Sequence, residues 1–306
     1  MKRIYLCLFF VLAVAASTAK PRIRVEKAPG GKSVDFILED KDRPGTMTVL
    51  IDLKELYNCR NVSVGLHKFK VYSDAYRFLS LKADDESYGV GYNYSWRYYY
   101  GVLDPEVDTA FVYRMPCSTL RPQRVIRTVN VLDKYRKAES EQERLGFMFP
   151  MVKGDTVYAM RRGVVTQIER QQRKGQPDAS FTTEDTSLQV EHPDGTTAWY
   201  ITLDPDHILV EEGDEVFPST PLALAGSVDG EHYKLLVQVH WLETNPAGSW
   251  ERDYAVRRRL FPRFMTTAGP LVPESGQVYT PVLTEEMQTA ELTKKELKRW
   301  QAARKN

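Results

Sequence analysis

The sequence predicts an all-β chain of two domains, closed by a short α-helix. Three observations predict it. From residue 20 onward, short stretches alternate apolar and polar residues, the period of two that turns one face of a strand inward. Turn-forming clusters such as PGG at 29–31 and RPG at 43–45 interrupt them. Helical character is confined to the final stretch, TEEMQTAELTKKELKRWQAARKN. A chain of 306 residues with 42% hydrophobic content is long enough for two medium-sized cores.

The first residues, MKRIYLCLFFVLAVAASTAK, read as a secretory signal peptide over 1–19. Lys2 and Arg3 form its positive start, Ile4 to Ala16 its apolar core and Ser17-Thr18-Ala19 its cleavage site. The apolar run is short of the ~20 residues a membrane-spanning helix needs. The expectation is an exported chain, periplasmic or at the cell surface, with no transmembrane segment once the leader is cut. A net charge of +1 and no basic stripe give no electrostatic footprint for nucleic acid, so that partner class is excluded.

Residues 20–115 form the first domain, β-sandwich-like. SVDFILED, TMTVLIDL and HKFKVYS are its clearest strands. In YNYSWRYYYG, Tyr92, Tyr94, Trp96, Tyr98 and Tyr100 share one strand face. That face is either a ligand-stacking platform for sugar rings or the packed side of the sandwich. Cys59 and Cys117 are a candidate disulfide in an oxidising compartment. Without CxxC spacing they do not suggest a thiolate zinc site.

Residues 116–283 form the second domain. TVYAMRRGVVTQIE, SLQVEHPDG, TAWYITL and YKLLVQVHWLE are its strand candidates. Polar 132–146 reads as a loop or short helix, and 170–186 as an exposed hairpin loop. The tail, 284–306, is a charged helix with Thr284 as its cap and acidic residues at its start.

The order of motifs in this second domain resembles the M23 (LytM-like) zinc metallopeptidases. FMFPMVKGDTVYAMRRGVVTQI resembles the stretch after that family's aspartate ligand, with its V-x-A-x-x-x-G-V-V. LQVEHPDGTTAWYITL resembles the hairpin that ends in Y-x-H-L. ILVEEGDEVFPSTPLALAGS resembles the V-x-x-G-D-x-V turn, and GEHYKLLVQV stands where H-x-H is expected. YRMP at 113–116, with LFPRF and GQVY further on, is similar to exported two-domain members.

The resemblance implies a zinc site built from a His, an Asp and the second His of H-x-H, with one coordination position open for chemistry. This sequence departs from it at each place. Gly146 stands for the aspartate and Thr202 for the histidine of Y-x-H-L. No histidine lies between His67 and His192 to supply the upstream ligand. The alignment of H-x-H on His232-Tyr233-Lys234 leaves one histidine and puts a cation at the metal position. His192 reads as a turn residue, and His207 as an exposed turn residue beside Asp204 and Asp206. His232 and His240, on a single strand, would lie ~26 Å apart at ~3.3 Å per residue, too far to share a metal.

The implied function is therefore a catalytically inactive M23-like protein of the cell envelope without zinc, binding or regulating peptidoglycan or a cell-wall hydrolase. Two other readings stay open. One is an active zinc endopeptidase on peptidoglycan cross-links with displaced ligands. The other is a carbohydrate-binding or structural envelope protein working through its aromatic strand.

Overall fold

The computed structural model describes residues 20–128, 146–170, 185–227 and 229–304. The signal peptide, the polar stretch before Gly146 and most of the 170–186 loop lie outside them. The first half holds β1 (Arg22–Lys27), β2 (Ser33–Glu39), β3 (Met47–Tyr57), β4 (Gly65–Val71), β5 (Tyr76–Lys82) and β6 (Gly91–Tyr100). They form two antiparallel three-stranded sheets, β1-β2-β5 and β4-β3-β6. Val34, Phe36 and Leu38 of β2 and Val49, Ile51 and Leu53 of β3 are fully buried between them. The spacing of two in each set is the alternation read from the sequence.

The aromatic face of β6 points into this sandwich. Tyr92, Tyr94, Trp96, Tyr98 and Tyr100 are all half-buried and packed against its core. Phe36 meets Tyr92 and Tyr94 edge-on, at 5.4 and 5.1 Å between ring centres. These half-buried rings lie against their neighbours, as the packed-side reading expects. The candidate disulfide is corrected. Cys59 and Cys117 are both free, because Cys59 packs against this core and Cys117 is buried in the other.

A crossing segment carries β7 (Val112–Tyr113), β8 (Gln123–Arg124) and β9 (Ile126–Thr128). The second half continues with β10 (Gly146–Met151), β11 (Thr156–Tyr158), β12 (Gly163–Glu169), β13 (Ser187–Glu191) and β14 (Thr197–Ile201). After these come β15 (Leu203–Ile208), β16 (Glu215–Val216), β17 (Pro221–Ser227) and β18 (Tyr233–Thr244). Last are β19 (Ala255–Leu260), β20 (Arg263–Thr266), β21 (Gly269–Leu271) and β22 (Val278–Tyr279).

The main sheet runs β11-β17-β18-β14-β13-β12-β16. Its hub is β18, the YKLLVQVHWLE strand, which pairs with β10 and β19 and also with β14 and β17. Leu235, Val237 and Val239 of β18 face a core shared with Phe147, Phe149, Val190 and Tyr200. Lys234, Leu236, Gln238 and His240 alternate with them and fall on the outer face. Tyr113 and Met115 belong to this second core, so it begins slightly ahead of the boundary expected after residue 115.

The two halves interlock. The RPG turn presses onto the outer face, where Arg43 donates to Gln167 Oε1 at 2.7 Å and the Thr46 amide to Glu191 Oε2 at 2.9 Å. Gly45, at φ +81°, comes so close that a Cβ there would lie 2.5 Å from Thr166 Cγ2. Asp104 ties Lys68 of β4 to the Thr244 amide at the end of β18.

The tail is two helices where one was expected: α1 (Glu285–Thr289) and α2 (Lys294–Ala303). Thr284 caps the first as foreseen, accepting from the Met287 amide. A full capping box of Thr293 and Glu296 starts the second. The break turns Glu291 inward onto Arg161, whose side chain is 4% exposed. Arg161 donates three hydrogen bonds to Glu291 and one each to Asp194 and Tyr113, and its guanidinium lies 3.7 Å from the Phe111 ring centre. Arg162 holds Glu215 and Glu296 in the same way. Among the described residues no helix is long and apolar enough to cross a membrane.

Candidate functional site

The outer face of the main sheet is where the spaced motifs converge. Phe147 lies opposite Val237 in the β10–β18 ladder, and Ile201 lies opposite Leu236 in the β14–β18 ladder. Gly146 therefore sits beside Gln238 and Leu236. A Cβ on Gly146 would meet the Val237 carbonyl oxygen at 2.6 Å, Gln238 Cγ at 2.8 Å and Leu236 Cδ1 at 3.1 Å. The position expected to stand for an aspartate has no room for even a methyl group.

The other vestigial positions do not gather around it. Thr202 is buried between β14 and β15 at φ +70°, its hydroxyl donating to Asp185 Oδ2 at 3.0 Å. His232 lies outside β18, in the turn before it, with its side chain 82% exposed. Its amide and ring both bond Asp229, at 2.7 and 2.6 Å. That carboxylate raises the imidazole above its ordinary value, mainly through the ring hydrogen bond. Lys234 lies opposite Pro150 and Gly226, displaced along the strand from Gly146. His232 and Lys234 thus lie away from Gly146, whose neighbours on β18 are Leu236, Val237 and Gln238. The alternation in KLLVQV puts Leu236 and Gln238 on one face, but the sequence alone does not say which pair faces Gly146.

Zinc is held by thiolate, imidazole or carboxylate. Leu236 and Ile201 offer hydrocarbon, Gln238 a neutral amide and Thr202 a hydroxyl already engaged. The donor set does not fit the metal, and no other group of three or more such ligands occurs among the described residues. His207 is exposed, but it lies within β15 and not in a turn, and it pairs with Asp204 at 3.0 Å.

The sequence reading missed two buried imidazoles. His192 is 2% exposed, its Nδ1 donating to the Arg162 carbonyl at 2.8 Å while Nε2 has no partner. Burial, then the Arg161 charge, pushes it down to about 4. His240 is 8% exposed, and burial with Arg257 and Arg259 pushes it down to about 3. A proline and glycine after His192 mark a turn, and nothing in that signal reveals that the turn is covered by the other half of the chain. A cleft of about 730 Å³ opens there between the halves, edged by Lys70, Asp104, Arg162, Glu191 and Asp194. Its charges are largely paired within the protein, as with Asp194 to Arg161 and Arg162 to Glu215.

Replacing Gly146 by alanine is expected to cost about 1–3 kcal/mol through overpacking. A lower urea midpoint with unchanged slope is the readout. An unchanged midpoint would mean that β10 moves away freely and that the position is not closed.

No family model matches the chain, and no curated protein does. Among solved structures it is similar to the catalytic domain of the antimicrobial peptidase lysostaphin from Staphylococcus simulans. There the identity is 20% over 31% of this chain and 64% of that one, at a TM-score of 0.25. It is similar to a zinc-containing peptidase from Vibrio cholerae, 14% identical over 71% of this chain and 81% of that one, at 0.30. It is also similar to Helicobacter pylori Csd3, 9% identical over 92% of this chain and 79% of that one, at 0.30. The chain spans 64% of the lysostaphin catalytic domain and 46% of whole lysostaphin. The likeness is to β-rich peptidases of the LytM/lysostaphin, M23 kind. At these scores it is a likeness of fold and brings no activity with it.

Proposed function

We propose that the chain is a catalytically inactive, zinc-free M23-like protein of the cell envelope that binds or regulates peptidoglycan or one of its hydrolases. The single observation that carries the reading is the closed position at Gly146, walled by Val237, Leu236 and Gln238 where a ligand carboxylate would have to stand. The order of M23-like motifs along residues 147–239 supports the fold half of the reading. The missing upstream histidine supports the inactive half, since no histidine occurs from 68 to 191. The leader over 1–19 supports export.

Metal analysis of the purified chain without its leader tests the reading. The expected result is less than stoichiometric zinc, no hydrolysis of purified peptidoglycan, and retention of the whole chain on that material or on a wall hydrolase. One zinc per chain together with release of wall peptides would overturn it. Failure to bind wall material or hydrolases would remove the envelope role and leave only the loss of the metal.

A further inference from the structure

We propose that the cavity between β6 and the outer face of the main sheet binds an acidic monosaccharide, a hydroxylated ring carrying one carboxylate. The inference stands apart from the function proposed above, because it uses neither the vestigial positions nor the closed site at Gly146. The cavity holds about 240 Å³. That is below the ~300 Å³ at which pockets for larger ligands begin, and suits a single ring.

Its lining is one-sided in charge. Arg43 and Arg257 both reach it, and none of the lining side chains is acidic. Neither arginine forms an ion pair among the described residues. Arg43 is spent on an amide oxygen and on the Tyr100 ring, 4.3 Å away, and Arg257 lies 5.1 Å from the centre of the Trp199 ring. Two guanidinium groups facing one cavity without a carboxylate are a site for an anion.

Hydroxyl recognition comes from the remaining groups. His240 lines the cavity, is 8% exposed, and has no hydrogen bond from either ring nitrogen among the described residues. A neutral imidazole presents one donor and one acceptor, the pair that a sugar hydroxyl satisfies. Among the described residues the Thr197 hydroxyl beside it is also without a partner, and Gln189, which donates to Gln167 at 2.8 Å, keeps its own carbonyl oxygen available. Ordered water can meet these groups, and so can the hydroxyls of a sugar ring. A carboxylate on the ring would supply the charge that neither arginine meets among the described residues.

The test is a titration of the whole chain, from residue 20, with D-glucuronate, D-glucose and acetate, following histidine ring resonances by NMR. Glucuronate at millimolar concentration is expected to shift His240 saturably while the exposed His207 and His232 stay still. Arg257→Gln, on an exposed strand position, is expected to weaken that binding at least about tenfold. Equal shifts with glucose would overturn the anion, and equal shifts with acetate would overturn the sugar. The absence of any saturable shift, or binding untouched in Arg257→Gln, would overturn the site itself.

Discussion

Arg161→Ala is expected to lower folding stability by about 3–5 kcal/mol, the cost of stranding buried charges without their partner. Arg161 is 4% exposed, and its two carboxylate partners, Asp194 and Glu291, are 9% and 16% exposed. Among the described residues no other cation pairs with either carboxylate. The guanidinium also lies 3.7 Å from the Phe111 ring centre, so alanine removes packing along with charge. Glu291 lies in the break between α1 and α2, and the loss should therefore be felt first by the tail. Limited proteolysis of the variant is expected to cut within 284–304 before the rest of the chain unfolds in urea. Glu291→Gln keeps the shape and one hydrogen-bond acceptor, and is expected to cost less. An Arg161→Ala chain that matches the parent in both assays would show that water replaces the guanidinium there.

Acid is expected to destabilise the protein well above the pH at which carboxylates titrate. His192 and His240 have folded-state values of about 4 and about 3, below the ordinary 6.5. The unfolded chain therefore takes up protons between those limits that the folded chain refuses. The stability these two groups contribute is present above about pH 6.5 and is lost as pH falls toward 4 and 3. At 1.36 kcal/mol per unit, each imidazole removes about 2 kcal/mol between pH 7 and pH 5. Glu191 is raised by burial and works in the opposite direction, blunting the lower end of the drop. Urea midpoints measured from pH 7 to 5 should fall by amounts adding to several kcal/mol. His192→Gln retains a donor for the Arg162 carbonyl and should remove roughly half of that slope. A flat profile in the parent chain would show that both rings take up protons without unfolding.

What the sequence revealed follows from which physics is local. The alternation in SVDFILED and YKLLVQVHWLE gave strands at those places, because a period of two is written in each strand's own residues. The cap at Thr284 was legible for the same reason, since its partner is three residues on. The side on which the β6 aromatics pack was not legible. Either face of a strand can be the inner one, and Phe36, which settles it, lies in a different strand. The neighbours of Gly146 were not legible for the same reason. Whether Lys234 or Gln238 faces Gly146 is a question of register between β10 and β18, set by pairs far apart in the chain. The break in the tail was written locally, in the Thr293–Glu296 capping box that starts α2, while the partner that draws Glu291 inward, Arg161, stands 130 residues away.

The close fit of Gly45 against Thr166 and Glu191 bears on how the molecule can be taken apart. A truncation at the apparent seam near residue 115 would not release two intact pieces. The later fragment would lose Tyr113 and Met115 from its interior, and Glu191 would lose the amide of Thr46 that it accepts. The earlier fragment would carry a turn shaped for a surface it no longer touches. The chain has two cores, and a cut between them would unseat residues on both sides of it.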